Sequence, residues 1–153
     1  MARYRASIET LWTADEAFAY LSDFSTSAEW DPGVVTADRV GTAPVGEETE
    51  FRLVAEFLGR KTRLTYRVVE YEAPRAVTFL GENATVVSHD RITFETIPTG
   101  TRVSYDADLK LKGPLRLADP LLALAFNRVG DRALAGLREV LGRPADAAVN
   151  AAA

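Results

Sequence analysis

The chain of 153 residues carries a net charge of −4, and 47% of its residues are apolar and 26% charged, a mixture that predicts one folded domain with a substantial core. It has no cysteine, which excludes disulfides, thiolate metal sites and cysteine nucleophiles within this chain. Basic residues are interspersed with acidic ones, so we expect no nucleic-acid partner, because proteins that bind nucleic acid usually concentrate positive charge.

Other absences limit the chemistry and the location. With a single histidine, His89, the usual set of zinc ligands is missing, and we expect neither a metal nor another cofactor. Residues 1–12 lack the apolar stretch of a signal peptide, and the longest apolar run, residues 120–126, is much shorter than the roughly 20 residues that span a bilayer. These features predict a cytoplasmic protein, a monomer or a homodimer, without stable membrane insertion.

The N-terminal segment predicts a strand and then a short helix. In residues 3–12 apolar and polar side chains alternate, which is typical of a half-buried strand. Thr13 and Glu16 have the spacing of a capping box, in which each side chain binds a free backbone N–H group at the start of a helix. We therefore predict a helix over residues 14–22, with one apolar stripe along it.

The next stretch, residues 23–34 (DFSTSAEWDPGV), combines acids, a tryptophan and several hydroxyls. Ser25 or Ser27 is expected to cap a second short helix. The Pro-Gly pair that follows favours a type II turn, in which the glycine takes a positive φ. Trp30 is then expected to pack across one end of the fold, with Asp31 leading into the turn. We interpret the stretch as a corner of the chain rather than a reactive cluster.

From residue 34 onward, alternating segments recur between turn signals, which predicts an antiparallel meander of six strands with one dry and one wet face. With the first strand, the sheet should contain about seven strands. The alternation is clearest in the last segment, where Val103, Tyr105, Ala107, Leu109 and Leu111 share one face. The predicted strands lie within residues 34–40, 49–57, 61–71, 76–80, 85–96 and 101–112.

A long helix is predicted over residues 120–142, with Asp119 as its N-cap and a proline at its first position. Leu121 and Leu124 lie in a run that is apolar on all sides. Four interpretations stay open for these two leucines: burial under neighbouring loops, the entrance of a cavity, a dimer contact or a membrane surface. The expected core stripe of the helix comprises Leu122, Phe126, Val129, Ala133, Leu137 and Val140.

Three features carry a resemblance to a known family: the sequence LSDFSTSAEWDPGV after the first helix, the evenly spaced hairpins, and the final stretch from LKGPLRLADPLLALAF to LREVLGR. Over residues 3–142 the chain resembles the SRPBCC superfamily, also called START-like, and within it the polyketide cyclase/dehydrase and lipid-transport branch. The resemblance implies an α+β helix-grip fold, in which a curved antiparallel sheet wraps around the long C-terminal helix and leaves a cavity. We expect one domain, residues 1–143, and a frayed or disordered tail, residues 144–153.

Asp90 is the strongest candidate for chemistry, because the alternation of residues 86–94 places it inward among apolar neighbours. Burial would raise its pKa and suit it to general acid–base work. The alternatives are an aspartate at the rim, or an inward one bound to a tyrosine hydroxyl. The same pattern points His89 outward, and Glu70 is expected at a solvated rim.

Tyr66 and Tyr105 should point inward, as packing residues or as polar anchors in an apolar pocket. Three hypotheses follow. The first is binding or transport of a small hydrophobic molecule, such as a lipid, polyketide or quinone; the second is a cofactor-free cyclase, aromatase or dehydratase that uses Asp90 with Tyr66 or Tyr105; the third is a protein-interaction module. The predicted ligand-binding residues are Phe51, Leu53, Phe57, Tyr66, Val68, Phe79, Asp90, Ile92, Tyr105, Leu109, Leu122 and Phe126.

Overall fold

Strands and helices follow one another along the chain in the predicted order. A computed structural model describes residues 1–146. Its strands are β1 (Ala2–Thr10), β2 (Val34–Arg39), β3 (Glu50–Phe57), β4 (Arg60–Glu72), β5 (Ala76–Glu82), β6 (Val86–Ile97) and β7 (Gly100–Leu111). Its α-helices are α1 (Ala14–Ser22), α2 (Ser27–Trp30) and α3 (Asp119–Leu141), and 3₁₀ turns precede the last two at Phe24–Thr26 and Gly113–Ala118.

The strands form one antiparallel sheet in the order β1-β7-β6-β5-β4-β3-β2. Every hairpin joins neighbours in the chain, while β1 pairs along its whole length with β7, from Ala2 opposite Leu109 to Thr10 opposite Thr101. Apolar side chains of the sheet alternate inward, toward α1, α2 and α3. The predicted α+β helix-grip fold, with a sheet of seven strands, is confirmed.

The start of α1 is held by the predicted capping box. The Thr13 hydroxyl accepts from the backbone N–H of Glu16, and the Glu16 carboxylate accepts from the backbone N–H of Thr13, both at 3.1 Å. The helix buries Phe18 and Leu21 against the sheet. The sequence therefore determines both where this helix begins and which face it buries.

The corner after α1 differs from the sequence-based expectation in two details. The 3₁₀ turn is capped by Asp23, whose carboxylate accepts from the backbone N–H of Ser25 at 3.2 Å, so neither Ser25 nor Ser27 is the cap. Gly33 does not adopt a positive φ, so the predicted type II turn is wrong. The Asp31 carboxylate instead accepts from the Gly33 N–H at 2.8 Å, and this side-chain contact closes the turn.

The register of β4 shifts between Val68 and Glu70 where it pairs with β5. The extra residue reverses the alternation, since a bulge sends the following side chains to the opposite face. Tyr71 therefore points inward and packs against Phe18, with ring centroids 5.1 Å apart. Glu70 lies on the outer face and pairs with Arg91 at 3.1 Å.

The long helix α3 begins at Asp119, one residue earlier than predicted, because the preceding 3₁₀ turn runs directly into it. Ala118, rather than the predicted Asp119, occupies the N-cap position and makes no side-chain capping bond. Two glycines of α3 lie in close contact with other elements. A Cβ at Gly136 would overlap the carbonyl oxygen of Trp30, and one at Gly130 would overlap the ring of Tyr4. These two glycines let α2 and β1 approach the helix backbone.

Residues 147–153, most of the tail that we expect to be frayed, lie outside the described residues. The domain boundary at residue 143 stays a prediction. Within residues 1–146, no helix is both long enough and apolar enough to cross a membrane.

Candidate functional site

A cavity of about 290 Å³ lies between the inner face of the sheet and the part of α3 from Leu122 to Leu137. Its size is at the lower end of the roughly 300–1,000 Å³ that is typical of small-molecule sites. The walls are predominantly apolar. The apolar lining residues include Leu53, Ala55, Phe57 and Leu64 of the β3–β4 hairpin, Leu109 and Leu111 of β7, and Leu122, Phe126, Val129, Ala133 and Leu134 of α3.

Eight of the twelve predicted ligand-binding residues line this cavity: Leu53, Phe57, Tyr66, Asp90, Tyr105, Leu109, Leu122 and Phe126. The other four, Phe51, Val68, Phe79 and Ile92, are fully buried in the packed core and do not line it. Phe24 explains this difference, because its ring stacks on Phe79 at 4.2 Å and contacts Phe51 edge-on at 6.3 Å. The corner after α1 thus fills the space in front of these residues.

A connected group of polar side chains lies in the wall of the cavity. The side chain of Asp90 is 6% exposed, and its two carboxylate oxygens accept from the hydroxyls of Ser88 at 2.6 Å and Tyr105 at 2.8 Å. The prediction that Asp90 points inward is confirmed, and it takes the form of an inward aspartate bound to a tyrosine hydroxyl. Ser88 and Asp90 alternate on β6, and Tyr105 lies on neighbouring β7, so sheet register assembles the group.

Burial dominates the electrostatics of this group. Loss of hydration raises the pKa of Asp90, although the hydrogen bonds from Ser88 and Tyr105 oppose the increase. Burial and the neighbouring Asp90 carboxylate also raise the pKa of Tyr105 well above its usual value. Burial raises the pKa of Tyr66 in the same way. Both tyrosines therefore stay protonated near neutral pH and can donate a hydrogen bond.

Asp31 is a second acid in the cavity wall, and the sequence-based interpretation of it as a turn residue missed this position. Burial raises the pKa of Asp31 to about 6, and the Asp90 carboxylate adds to the increase, whereas the Gly33 N–H opposes it. The sequence signal at this position was an Asp-Pro-Gly turn, which predicts a change of chain direction. A turn alone does not predict which way the side chain of its first residue faces.

Two aromatic side chains hold the acid-containing wall in place. Trp30 is buried, and its ring contacts that of Tyr105 edge-on at 6.0 Å, so it packs at the corner as predicted and also lines the cavity. Its indole N–H is buried without a hydrogen-bond partner among the described residues. Tyr66 lies flat over Gly81, where a Cβ would overlap its ring. The tyrosine hydroxyl is thus positioned by a residue without a side chain.

The remaining candidates lie away from the cavity. His89 is exposed on the outer face, as predicted, and Glu70 is held in its ion pair on the same face. Leu121 and Leu124 are 76% and 63% exposed, so their burial under loops is excluded. An interaction surface at these leucines stays a prediction.

The described residues contain no group of three His, Asp or Glu side chains close enough to hold a metal ion. The cavity wall instead contains two carboxyl groups with raised pKa values and two tyrosine hydroxyls, in apolar surroundings. Such groups donate or accept hydrogen bonds to a ligand oxygen, and a carboxyl with a pKa near neutrality can also exchange a proton with it.

Comparison with solved structures gives the same fold. A START superfamily protein from Mycobacterium smegmatis superposes with a TM-score of 0.76 at 14% identity, over 92% of this chain and 97% of that one. A protein from Thermus thermophilus gives 0.75 at 20% identity, over 91% and 96%. The Zhui aromatase/cyclase from Streptomyces sp. R1128 gives 0.70 at 15% identity, over 90% and 94%. At these identities the likeness establishes the fold alone.

No curated protein matches the sequence. A family model does: the one described as polyketide cyclase/dehydrase and lipid transport matches residues 1–142, nearly the whole chain. The predicted resemblance is therefore confirmed at the level of the family. The chain belongs to the polyketide cyclase/dehydrase and lipid transport family.

Proposed function

We propose that the protein binds a small hydrophobic molecule in the cavity between the sheet and α3. The observation that carries this proposal is a predominantly apolar cavity with polar groups in two places: Asp31, Ser88, Asp90 and the tyrosine hydroxyls in one wall, and Glu56, Arg60 and Thr62 on the β3–β4 hairpin. Apolar walls favour an apolar ligand, and a few polar groups give it one orientation. The ligand is therefore expected to carry an oxygen at the end that meets this wall: a hydroxyl that donates to Asp90 or Tyr105, or a carbonyl that accepts from the Tyr66 hydroxyl.

The state of Asp90 favours binding over catalysis at this residue. Both of its carboxylate oxygens already accept hydrogen bonds within the chain, from Ser88 and Tyr105. A buried carboxylate satisfied in this way is stable without a substrate. It fixes the direction of the Tyr105 hydroxyl, which then serves as a polar anchor.

The test is a titration with a fluorescent apolar probe, N-phenyl-1-naphthylamine, in the wild type and three variants. Ala133 lines the cavity, and Ala135 faces solvent two residues later. Ala133→Phe fills the cavity and should abolish the rise in fluorescence, whereas Ala135→Phe should leave it unchanged. Ala55→Phe fills the cavity from β3 and should act like Ala133→Phe. Equal binding by all four proteins would show that the probe binds elsewhere, and the proposal would fail.

A second function is favoured by one specific observation: two carboxyl groups face the same cavity, and the pKa of Asp31 is about 6. An aldol cyclisation moves a proton from a carbon next to a carbonyl to the new alkoxide, and a later dehydration releases water. Both steps need a base and an acid that exchange protons near neutral pH. Asp31 and Asp90, with Tyr66 or Tyr105 as a hydrogen-bond donor, are the groups for such a reaction.

Conversion of a poly-β-keto thioester, followed by chromatography, tests this second function. Asp31→Asn and Asp90→Asn should each abolish cyclisation while probe binding persists. If both variants cyclise the thioester as fast as the wild type, the carboxyl groups act only in binding. No cyclisation by the wild type would remove the basis for this second function and leave the first one intact.

A further inference from the structure

An outer cleft of about 480 Å³ lies beside the cavity. The two spaces share four lining residues, Gly33, Glu56, Phe57 and Val129, so they are neighbours with a common wall. The cleft lies between the tip of the β3–β4 hairpin and the solvent side of α3. Its other lining residues are Pro32, Leu58, Gly59, Ala125, Arg128 and Arg132.

Three arginines line the two spaces. Arg128 and Arg132 line the outer cleft, and Arg60, at the start of β4, lines the cavity beside it. Within residues 1–146 none of the three forms an ion pair or a hydrogen bond through its guanidinium. Among the described residues, the only acid that lines the outer cleft is Glu56, so two arginines of the cleft face one carboxylate.

Being unpaired does not by itself distinguish these arginines. Some arginines of the sheet pair with acids across strands, as Arg3 does with Asp108 at 2.7 Å, but Arg39, Arg52 and Arg63 form no such pair among the described residues. Those three line neither the cavity nor the outer cleft. The arginines at the cavity are distinguished by their position beside an apolar space, where their positive charge can meet an opposite charge that is not part of the chain.

From this geometry we infer that the ligand is an amphipathic anion: its carboxylate or phosphate group binds Arg128 and Arg132 in the outer cleft and Arg60 in the cavity wall beside it, and its apolar part lies in the cavity. The inference rests on the proposed binding function and adds the charge and direction of the ligand. Guanidinium groups bind carboxylate and phosphate through paired hydrogen bonds, which a hydroxyl cannot reproduce. The small inner cavity agrees, because a ligand longer than the cavity must extend into the cleft.

Displacement of N-phenyl-1-naphthylamine by ligands of equal chain length tests the inference. Decanoate and decyl phosphate carry the charge, and decan-1-ol carries only a hydroxyl. In the wild type we expect the two anions to displace the probe at about tenfold lower concentration than the alcohol. The difference between decanoate and decyl phosphate then tells which anionic group the arginines prefer.

A triple variant, Arg60→Gln, Arg128→Gln and Arg132→Gln, should lose the preference for the anions, so that all three ligands displace the probe alike. The matched control removes the same charge from exposed positions of β2, β3 and β4 that line neither the cavity nor the cleft, with Arg39, Arg52 and Arg63 each changed to Gln, and should keep the preference. Equal displacement by the anions and the alcohol in the wild type would overturn the inference but leave the binding function. If the control loses the preference too, net charge rather than the cleft is responsible, and the inference fails. Failure of the wild type to bind the probe at all would remove the proposed function itself.

Discussion

The two ends of the sheet carry the same alternating pattern, yet one end is filled and the other is hollow. At the filled end, Phe18 packs edge-on against Phe94, with ring centroids 5.3 Å apart, and the last turn of α3 buries Val140. At the hollow end the inward side chains, such as Leu109, meet the cavity and the half-exposed Phe126 of α3. The corner after α1 contributes to the difference, because Phe24 packs against Phe51 and Phe79 and separates them from the cavity. Alternation therefore defines an inner face, and a separate segment decides how much of that face a ligand can reach.

The largest expected effect is on the free energy of unfolding, when one phenylalanine from each end of the sheet is replaced by alanine. Phe79→Ala should lower the free energy of unfolding by about 3–5 kcal/mol, because it opens a cavity in a fully packed region. Phe126→Ala should cost only about 1 kcal/mol, since this side chain already faces a cavity and is half-exposed. Urea denaturation of both variants measures the difference. Equal losses would mean that the two ends are packed alike.

The second prediction concerns how the stability of the protein depends on pH through Asp31, at the hollow end. The pKa of Asp31 is raised from 3.8 to about 6, so the folded protein holds a proton that the unfolded chain has lost between these values. Stability contributed by this group is full below about pH 4 and is lost as the pH rises through about 6. Asp31→Asn removes the titration and should raise the free energy of unfolding by about 3 kcal/mol near neutral pH and above. Near pH 4 the variant and the wild type should agree.

Urea denaturation of Asp31→Asn across this pH range is the measurement. Asparagine keeps an oxygen that can accept from the Gly33 N–H, so the turn stays closed in the variant. Asp38→Asn, on exposed β2, is the control and should show no such gain. A gain that is the same at every pH would show that Asp31 does not titrate in the way burial predicts.

A third prediction concerns the bond between the tyrosine and the acid in the cavity wall. Tyr105→Phe removes the donor 2.8 Å from Asp90 and should cost about 1.5 kcal/mol, because a buried carboxylate loses a partner. It should also raise the pKa of Asp90 further, so the loss should be larger at alkaline than at acidic pH. Urea denaturation at both ends of the pH range tests this. A loss that does not change with pH would show that Asp90 is neutral throughout.

The smallest expected effect separates stability from binding. Thr13→Ala removes the cap of α1, at the filled end, and should lower the free energy of unfolding by about 1 kcal/mol. Because α1 does not line the cavity, binding of N-phenyl-1-naphthylamine should be unchanged. A parallel loss of probe affinity would mean that the two ends are coupled.

The sequence predicts the fold well and the site in part, for reasons that particular residues show. Alternation and the capping box depend on neighbours along the chain, so β7 and the start of α1 were predictable. The inward facing of Asp90 followed from the same periodicity. By contrast, the burial of Phe79 depends on Phe24, more than 50 residues earlier in the chain, and no local pattern reports such a contact. The positions of Asp31 and of the arginines of the outer cleft at the site were not predicted for the same reason. They come from segments that are distant in the sequence and adjacent only in the folded chain.

Methyl-resolved NMR with N-phenyl-1-naphthylamine shows whether an apolar molecule enters the hollow end and not the filled one. We expect added probe to shift the methyl signals of Leu53, Leu109 and Leu122 and to leave those of Val77 and Ile92 in place. Shifts confined to Val77 and Ile92, or no shift at saturating probe, would contradict it.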